Sequence, residues 1–110
     1  MNKIIGMLGF ARRAGKMAFG YDSVVSTLKR GKYYDALVLI AEDASAKTIK
    51  NCKFECDKYD CPFVVTGTKI EYGSLLNKKE VSVLIILDEN MIEYIRKNII
   101  TEDTEWEYMN

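Results

Sequence analysis

At 110 residues the chain has room for one domain around one core, and 48% hydrophobic against 29% charged residues is the balance of an ordinary globular domain. A single proline and the lack of any Ser/Gly-rich or repetitive stretch exclude linkers and repeats, and no apolar run approaches the ~18 residues a membrane span needs. The 16 Lys/Arg and 16 Asp/Glu cancel in total but not in place: residues 1–80 carry a net +5 and residues 81–110 a net −5, so a polyanion partner is not excluded.

The opening Met1-Asn2-Lys3-Ile4-Ile5-Gly6-Met7-Leu8 superficially resembles a signal peptide. Its apolar part is short and runs into Arg12-Arg13, which reads instead as a first helix over 3–14 with Ile4, Ile5, Leu8 and Ala11 on one side and Gly15 at its end. Lys16 to Phe19 reads as a short strand. Gly20 opens a second helix, with Val24, Val25 and Leu28 inward and Lys29-Arg30-Gly31-Lys32 at its end. Ala36 to Ala41 is a continuous apolar run of the length of a strand buried on both faces.

Glu42-Asp43-Ala44-Ser45 is a turn with capping residues, and the third helix that follows carries Ile49, Cys52, Cys56 and Tyr59 along one side. Cys61-Pro62 breaks it. Phe63-Val64-Val65 is a strand, and Thr68-Lys69-Ile70-Glu71 has the spacing of a capping box for a short fourth helix that Gly73 and Asn77 punctuate. Val81 to Leu87 is the second long apolar strand. Asp88 can cap a last helix with Met91, Ile92, Ile95 and Ile99 facing in, and residues 101–110 form an acidic tail without clear period, in which Trp106 and Tyr108 either fray or dock on the body. Four strands alternating with five helices predict an α/β fold with helices on both faces of the sheet.

Much enzymatic chemistry is missing. The chain has no histidine, no Gly-rich phosphate loop and no G-x-S-x-G elbow. The three cysteines, Cys52, Cys56 and Cys61, are odd in number, close together and without a histidine, which favours reduced core thiols in a cytoplasm over a zinc site. Carboxylates follow both long strands, at Glu42-Asp43 and Asp88-Glu89. Capping of helix N-termini is their simpler role, with a metal-assisted phosphate-handling site using Asp43 or Asp88 as a distant alternative. The expectation is of a protein that is not an enzyme, with no cofactor and no metal.

Gly20, at the start of the second helix, carries more information. Glycine there lets a phosphate or ribose approach unpaired N–H groups at a positive dipole end, although a plain turn would use it equally. From this point the chain resembles the kink-turn-binding ribosomal proteins of the L7Ae and L30e type, most closely the small bacterial YlxQ-type paralogues. The resembling residues are Ala11-Arg12-Arg13-Ala14-Gly15-Lys16, Gly20, Lys29-Arg30-Gly31-Lys32, Leu37 to Ser45, Cys61-Pro62-Phe63, Gly67-Thr68-Lys69 and Tyr72-Gly73, in family order over about residues 3–98.

The resemblance implies a three-layer α-β-α sandwich with a mixed four-stranded sheet. It implies a single RNA-binding domain over 1–100 followed by the 101–110 tail, in a cytoplasmic, ribosome-associated and monomeric protein with no membrane partner. It also implies an RNA surface. Gly20, Tyr21, Asp22 and Ser23, with Ser26 one turn on and Lys29 beyond, would face sheared G·A pairs in a kinked RNA helix. The stretch Leu76-Asn77-Lys78-Lys79-Glu80-Val81 would cover an extruded base, and Lys16 would reach phosphate from below. Asp22-Ser23 stand where strong kink-turn binders have Asn-Glu, Ser26 where they have lysine, and Asn77 where glycine is usual. Tyr21 would either stack on a base, worth ~1–3 kcal/mol, or pack back on the first helix. The alternative is a protein-interaction module that has lost kink-turn binding.

Overall fold

The computed structural model describes residues 2–31, 35–99 and 105–107. Lys32 and Tyr108 from the motifs above lie outside them, as does the tail apart from 105–107. The elements follow in the expected order: α1 (Asn2–Arg13), β1 (Met17–Phe19), α2 (Tyr21–Arg30), β2 (Leu37–Ile40), α3 (Ala46–Lys58), β3 (Phe63–Val65), α4 (Lys69–Leu75), β4 (Val83–Ile86), α5 (Glu89–Ile99) and β5 (Glu105–Glu107). The strands form one mixed sheet in the order β1-β4-β2-β3-β5. Only β2 and β3 run parallel; β4 is antiparallel to both β1 and β2, and β5 is antiparallel to β3. Four of these strands are the four expected; β5 adds three residues at the edge of β3.

The core follows from the apolar periods. Every residue of β2 and β4 is buried, as their unbroken Leu-Val-Leu-Ile and Val-Leu-Ile-Ile runs require of strands covered on both faces. On one face α1 packs against α4 and α5; on the other α2 packs against α3, giving the three-layer α-β-α sandwich. Ile4, Leu8 and Ala11 of α1, and Met91, Ile92, Ile95 and Ile99 of α5, are the buried stripes their spacing predicts. Cys52, Cys56 and Cys61 are buried members of the same core, behaving as small hydrophobes.

Helix starts are set by side-chain caps. Ser45 Oγ accepts from Thr48 N at 3.1 Å to begin α3. Thr68 and Glu71 close the expected capping box on α4. Asp88 Oδ1 accepts from Met91 N at 3.0 Å to begin α5, while Asp43 reaches across to accept from Lys69 N, the first residue of α4, at 2.9 Å. Both aspartates are thus committed to helix N–H groups. Because β2 and β4 are antiparallel, the segments that follow them leave from opposite ends of the sheet, so Asp43 and Asp88 cannot gather round one metal, and the phosphate-handling alternative is withdrawn.

Gly73 does not end α4 as its position suggested. It lies inside the helix, where a Cβ would stand 2.5 Å from the Lys79 carbonyl oxygen. Glycine is required there because the returning backbone passes directly over it. The helix instead gives way at Leu76, and Asn77 takes the left-handed conformation (φ 59°) that turns the chain back toward β4. Asparagine tolerates that region better than other non-glycine residues, so Asn77 can make the turn.

Candidate nucleic-acid interface

β1 and β2 both end beside the start of β4: Phe19 pairs with Leu84 and Ile40 with Val83. The helices that follow them, α2 and α3, therefore begin at the same end of the molecule and run down the same face side by side. The segment between α4 and β4 returns to that end as well, since Ser82 O accepts from Ala41 N at 2.8 Å and Val81 N donates to Lys69 O at 3.0 Å. Where the three meet there is an open cleft of about 360 Å³, lined by Phe19, Gly20 and Tyr21 from the β1–α2 junction, Thr48 from α3, and Lys78, Glu80, Val81, Ser82 and Val83.

Gly20 is the N-cap of α2. Its φ of 89° and ψ of 147° belong to a region essentially reserved for glycine. Its N–H donates to Val83 O and its carbonyl accepts from Val24 N, both at 2.9 Å, which fixes the junction to the sheet. No side chain caps this helix, so the first-turn N–H groups of Tyr21, Asp22 and Ser23 are offered outward at the positive end of the dipole. Nothing lies within 4 Å of where a Cβ at Gly20 would stand. The glycine is thus required by the backbone angle rather than by crowding, and the space above it is open.

From Gly20 an exposed stripe descends α2 through Asp22, Ser23, Ser26 and Lys29, at the spacing of one helical face. Lys29 closes it about 13 Å along the axis from the cleft. Tyr21 is half-buried, packed on the core as well as lining the cleft. Burial raises its phenol pKa, and Glu55, Cys52 and Asp22 raise it further. On the facing segment Asn77, Lys78 and Lys79 are all exposed. Lys78 N donates to Gly73 O at 2.8 Å, holding the loop against α4, and Glu80 is drawn toward Lys69 at 4.0 Å, which leaves Lys78 and Lys79 as the positive groups of the rim.

Gly20, Tyr21 and Lys78 thus meet in the cleft, Asp22, Ser23 and Ser26 follow on the exposed side of α2, and Asn77 and Lys79 flank Lys78 outside the lining. Lys16 does not join them: its carbonyl accepts from Leu87 N at 2.9 Å, which puts it at the far end of β1, about 13 Å of extended chain from Gly20, beside the exposed Arg12 and Arg13. Thr48 and Ser82 line the cleft but were not singled out in the sequence. The sequence marks only residues 42–45 there, as the turn that caps α3, and only the side-by-side helix starts bring Thr48 to the site.

The family model for the ribosomal protein L7Ae/L30e/S12e/Gadd45 family matches residues 2–95. The RNA-binding protein YlxQ of Bacillus subtilis is 30% identical over 83 residues, covering 76% of this chain and 81% of that protein. The large ribosomal subunit protein eL8 of Thermoplasma volcanium is 26% identical over 100 residues, 90% of this chain and 81% of that one. A solved structure of a protein of unknown function from Bacillus halodurans C superposes with a TM-score of 0.77 at 28% identity, over 91% of this chain and 98% of that one. With a match that spans both long strands, all five helices in part or whole and the glycine-opened junction, this chain belongs to the ribosomal protein L7Ae/L30e/S12e/Gadd45 family.

Proposed function

We propose that this chain binds structured, kink-turn-like RNA at the cleft end of the molecule, in a ribosomal-protein-like role that depends on binding rather than catalysis. The observation that carries the reading is the uncapped start of α2 at Gly20, open to solvent and sharing the cleft with Lys78, which Lys79 follows in the exposed segment. Outward N–H groups and a helix dipole suit a phosphate or a base edge, and the two lysines suit the backbone strand on the other side. The printed names of the relatives agree: one is an RNA-binding protein and another a protein of the large ribosomal subunit. Asp22 and Ser26 shift the balance from charge toward base readout, because a carboxylate accepts from guanine N–H groups while Ser26 supplies no cation. Lys16 and Lys29, away from the cleft, fit outlying phosphate contacts.

The test is the affinity for a kink-turn hairpin over a salt series. Each phosphate contact contributes a slope of about −0.9 in log K against log salt. Lys78→Glu with Lys79→Glu is expected to weaken binding and flatten that slope by about 2. Lys53→Glu should leave it unchanged, since Lys53 lies on α3 with its Nζ 5.8 Å from the Phe63 ring centre, away from the cleft. Equal effects at all three positions would reject this face. No affinity even at low salt, together with partners captured in a ribonuclease-insensitive way, would replace it with the protein-interaction reading.

A further inference from the structure

The outward face of α3 carries Lys47, Lys50, Phe54 and, near its end, Asp57 and Lys58, all exposed. Lys47, Lys50 and Phe54 follow at intervals of three and four, which aligns them on one stripe, and no carboxylate interrupts that stripe until Asp57. Phe54 is 64% exposed, one of four exposed large hydrophobic side chains among the described residues. A phenylalanine on an exposed, lysine-bearing face gains nothing for the fold, and leaving its ring in water forgoes most of the ~1.5–3 kcal/mol its burial would contribute. The stripe begins beside the cleft: Thr48, next to Lys47 in the first turn of α3 and about a third of a turn round the helix from it, is one of the cleft's lining residues.

We infer that α3 extends the RNA surface beyond the kinked element. An unpaired strand leaving the cleft runs along the helix, with Lys47 and Lys50 on its phosphates and Phe54 stacked on a base. Alternating ammonium groups and an exposed ring make up the sequence-tolerant device by which proteins hold single strands. The geometry suits it, since one helical turn separates Lys50 from Phe54, about 6 Å, close to the phosphate-to-phosphate reach of a single strand. This inference rests on the cleft reading and adds the class of RNA that reading leaves open: a structured element with a single-stranded flank.

The experiment compares a kink-turn hairpin with the same hairpin bearing an eight-nucleotide oligouridine tail, tried at either end, on the full chain. The tailed RNA is expected to bind more tightly than the bare hairpin. Phe54→Leu should remove about 5- to 160-fold of affinity for the tailed RNA alone, the span of one lost base stack, and Phe54→Tyr should restore it. Lys47→Gln with Lys50→Gln should flatten the salt slope for the tailed RNA by about 1.4 and leave the hairpin's unchanged. Since Phe54 is exposed, its replacement leaves the core intact, and unchanged hairpin affinity confirms this in the same titration. Equal binding of tailed and bare hairpins, or a Phe54→Leu variant indistinguishable from wild type on both, overturns the inference and leaves the cleft reading standing. If neither RNA binds, the cleft reading itself fails, and an interaction of Phe54 with another protein takes its place.

Discussion

Replacing Gly73 by alanine should destabilise the protein although the site is helical. The added Cβ would stand 2.5 Å from Lys79 O, 2.7 Å from Lys79 C and 2.8 Å from Glu80 N. All three are backbone atoms, so no rotamer change relieves the clash, and the segment must retreat by roughly 0.8 Å to reach an ordinary carbon–oxygen contact of about 3.3 Å. That segment is pinned on both sides, by Lys78 N on Gly73 O at 2.8 Å and Val81 N on Lys69 O at 3.0 Å. Overpacking of this kind costs ~1–3 kcal/mol, stretching one of the two bonds adds about 1 kcal/mol, and alanine's better helix propensity returns about 1 kcal/mol, for a net loss of about 1–3 kcal/mol. Gly6 of α1 is the internal control: nothing lies within 4 Å of its would-be Cβ, so Gly6→Ala should stabilise by roughly 0.5–1 kcal/mol. Urea denaturation of the two variants beside wild type reads both signs as opposite shifts of the midpoint at constant slope. Since the retreating segment carries Lys78 and Lys79, Gly73→Ala should also weaken RNA binding where Gly6→Ala does not. A Gly73→Ala protein as stable as wild type, beside a stabilised Gly6→Ala, would refute the close-approach argument.

Two further predictions concern buried groups. Tyr72 is fully buried and its hydroxyl donates to Thr66 O at 2.5 Å; Tyr72→Phe strands that carbonyl and should cost about 1–3 kcal/mol in the same urea assay, whereas a loss below ~0.5 kcal/mol would mean that the bond contributes nothing net. Burial, and then Glu55, push the Cys52 thiol up from 9.0 to about 11. The folded protein therefore keeps a proton that the unfolded chain releases above pH 9, so stability from this group is complete below pH 9 and falls as pH rises toward 11, by at most about 1.4 kcal/mol per pH unit. Cys52→Ala should flatten the stability profile across that window; an unchanged slope would show that the thiol does not titrate there.

The elements that were legible in the sequence are those with a local cause. Thr68 and Glu71 announce α4 because a capping box needs only four residues, and Val83–Ile86 announces a central strand because a sheet covered on both faces tolerates no polar alternation. Gly73 was misread because its cause is not local: the backbone that crowds it comes from Lys79 and Glu80, and glycine near a helix end looks the same whether it terminates the helix or admits a neighbour. Thr48 was missed for the same kind of reason. Its capping hydrogen bond to Ser45 is local, but its place in the cleft follows from α2 and α3 starting at one end of the sheet. Lys16, four residues before Gly20, lies at the other end of β1 because an extended strand is the element in which sequence neighbours part fastest, at about 3.3 Å per residue.

The charge segregation acquires its meaning from the strand order. Read linearly, the acidic last thirty residues threaten any surface meant for a polyanion. In the sheet, β5 with its two glutamates pairs with β3, while β1, which leads into Gly20, lies on the outer side of β4. Four inter-strand steps separate β5 from β1, roughly 19 Å at 4.8 Å each, more than twice the Debye length of about 8 Å at physiological ionic strength. The backbone of β5 and the strand that leads into Gly20 thus lie at opposite edges of the sheet. A chain of zero net charge can still set lysines beside an open helix start, and the neutrality of its composition says little about the partner that end selects.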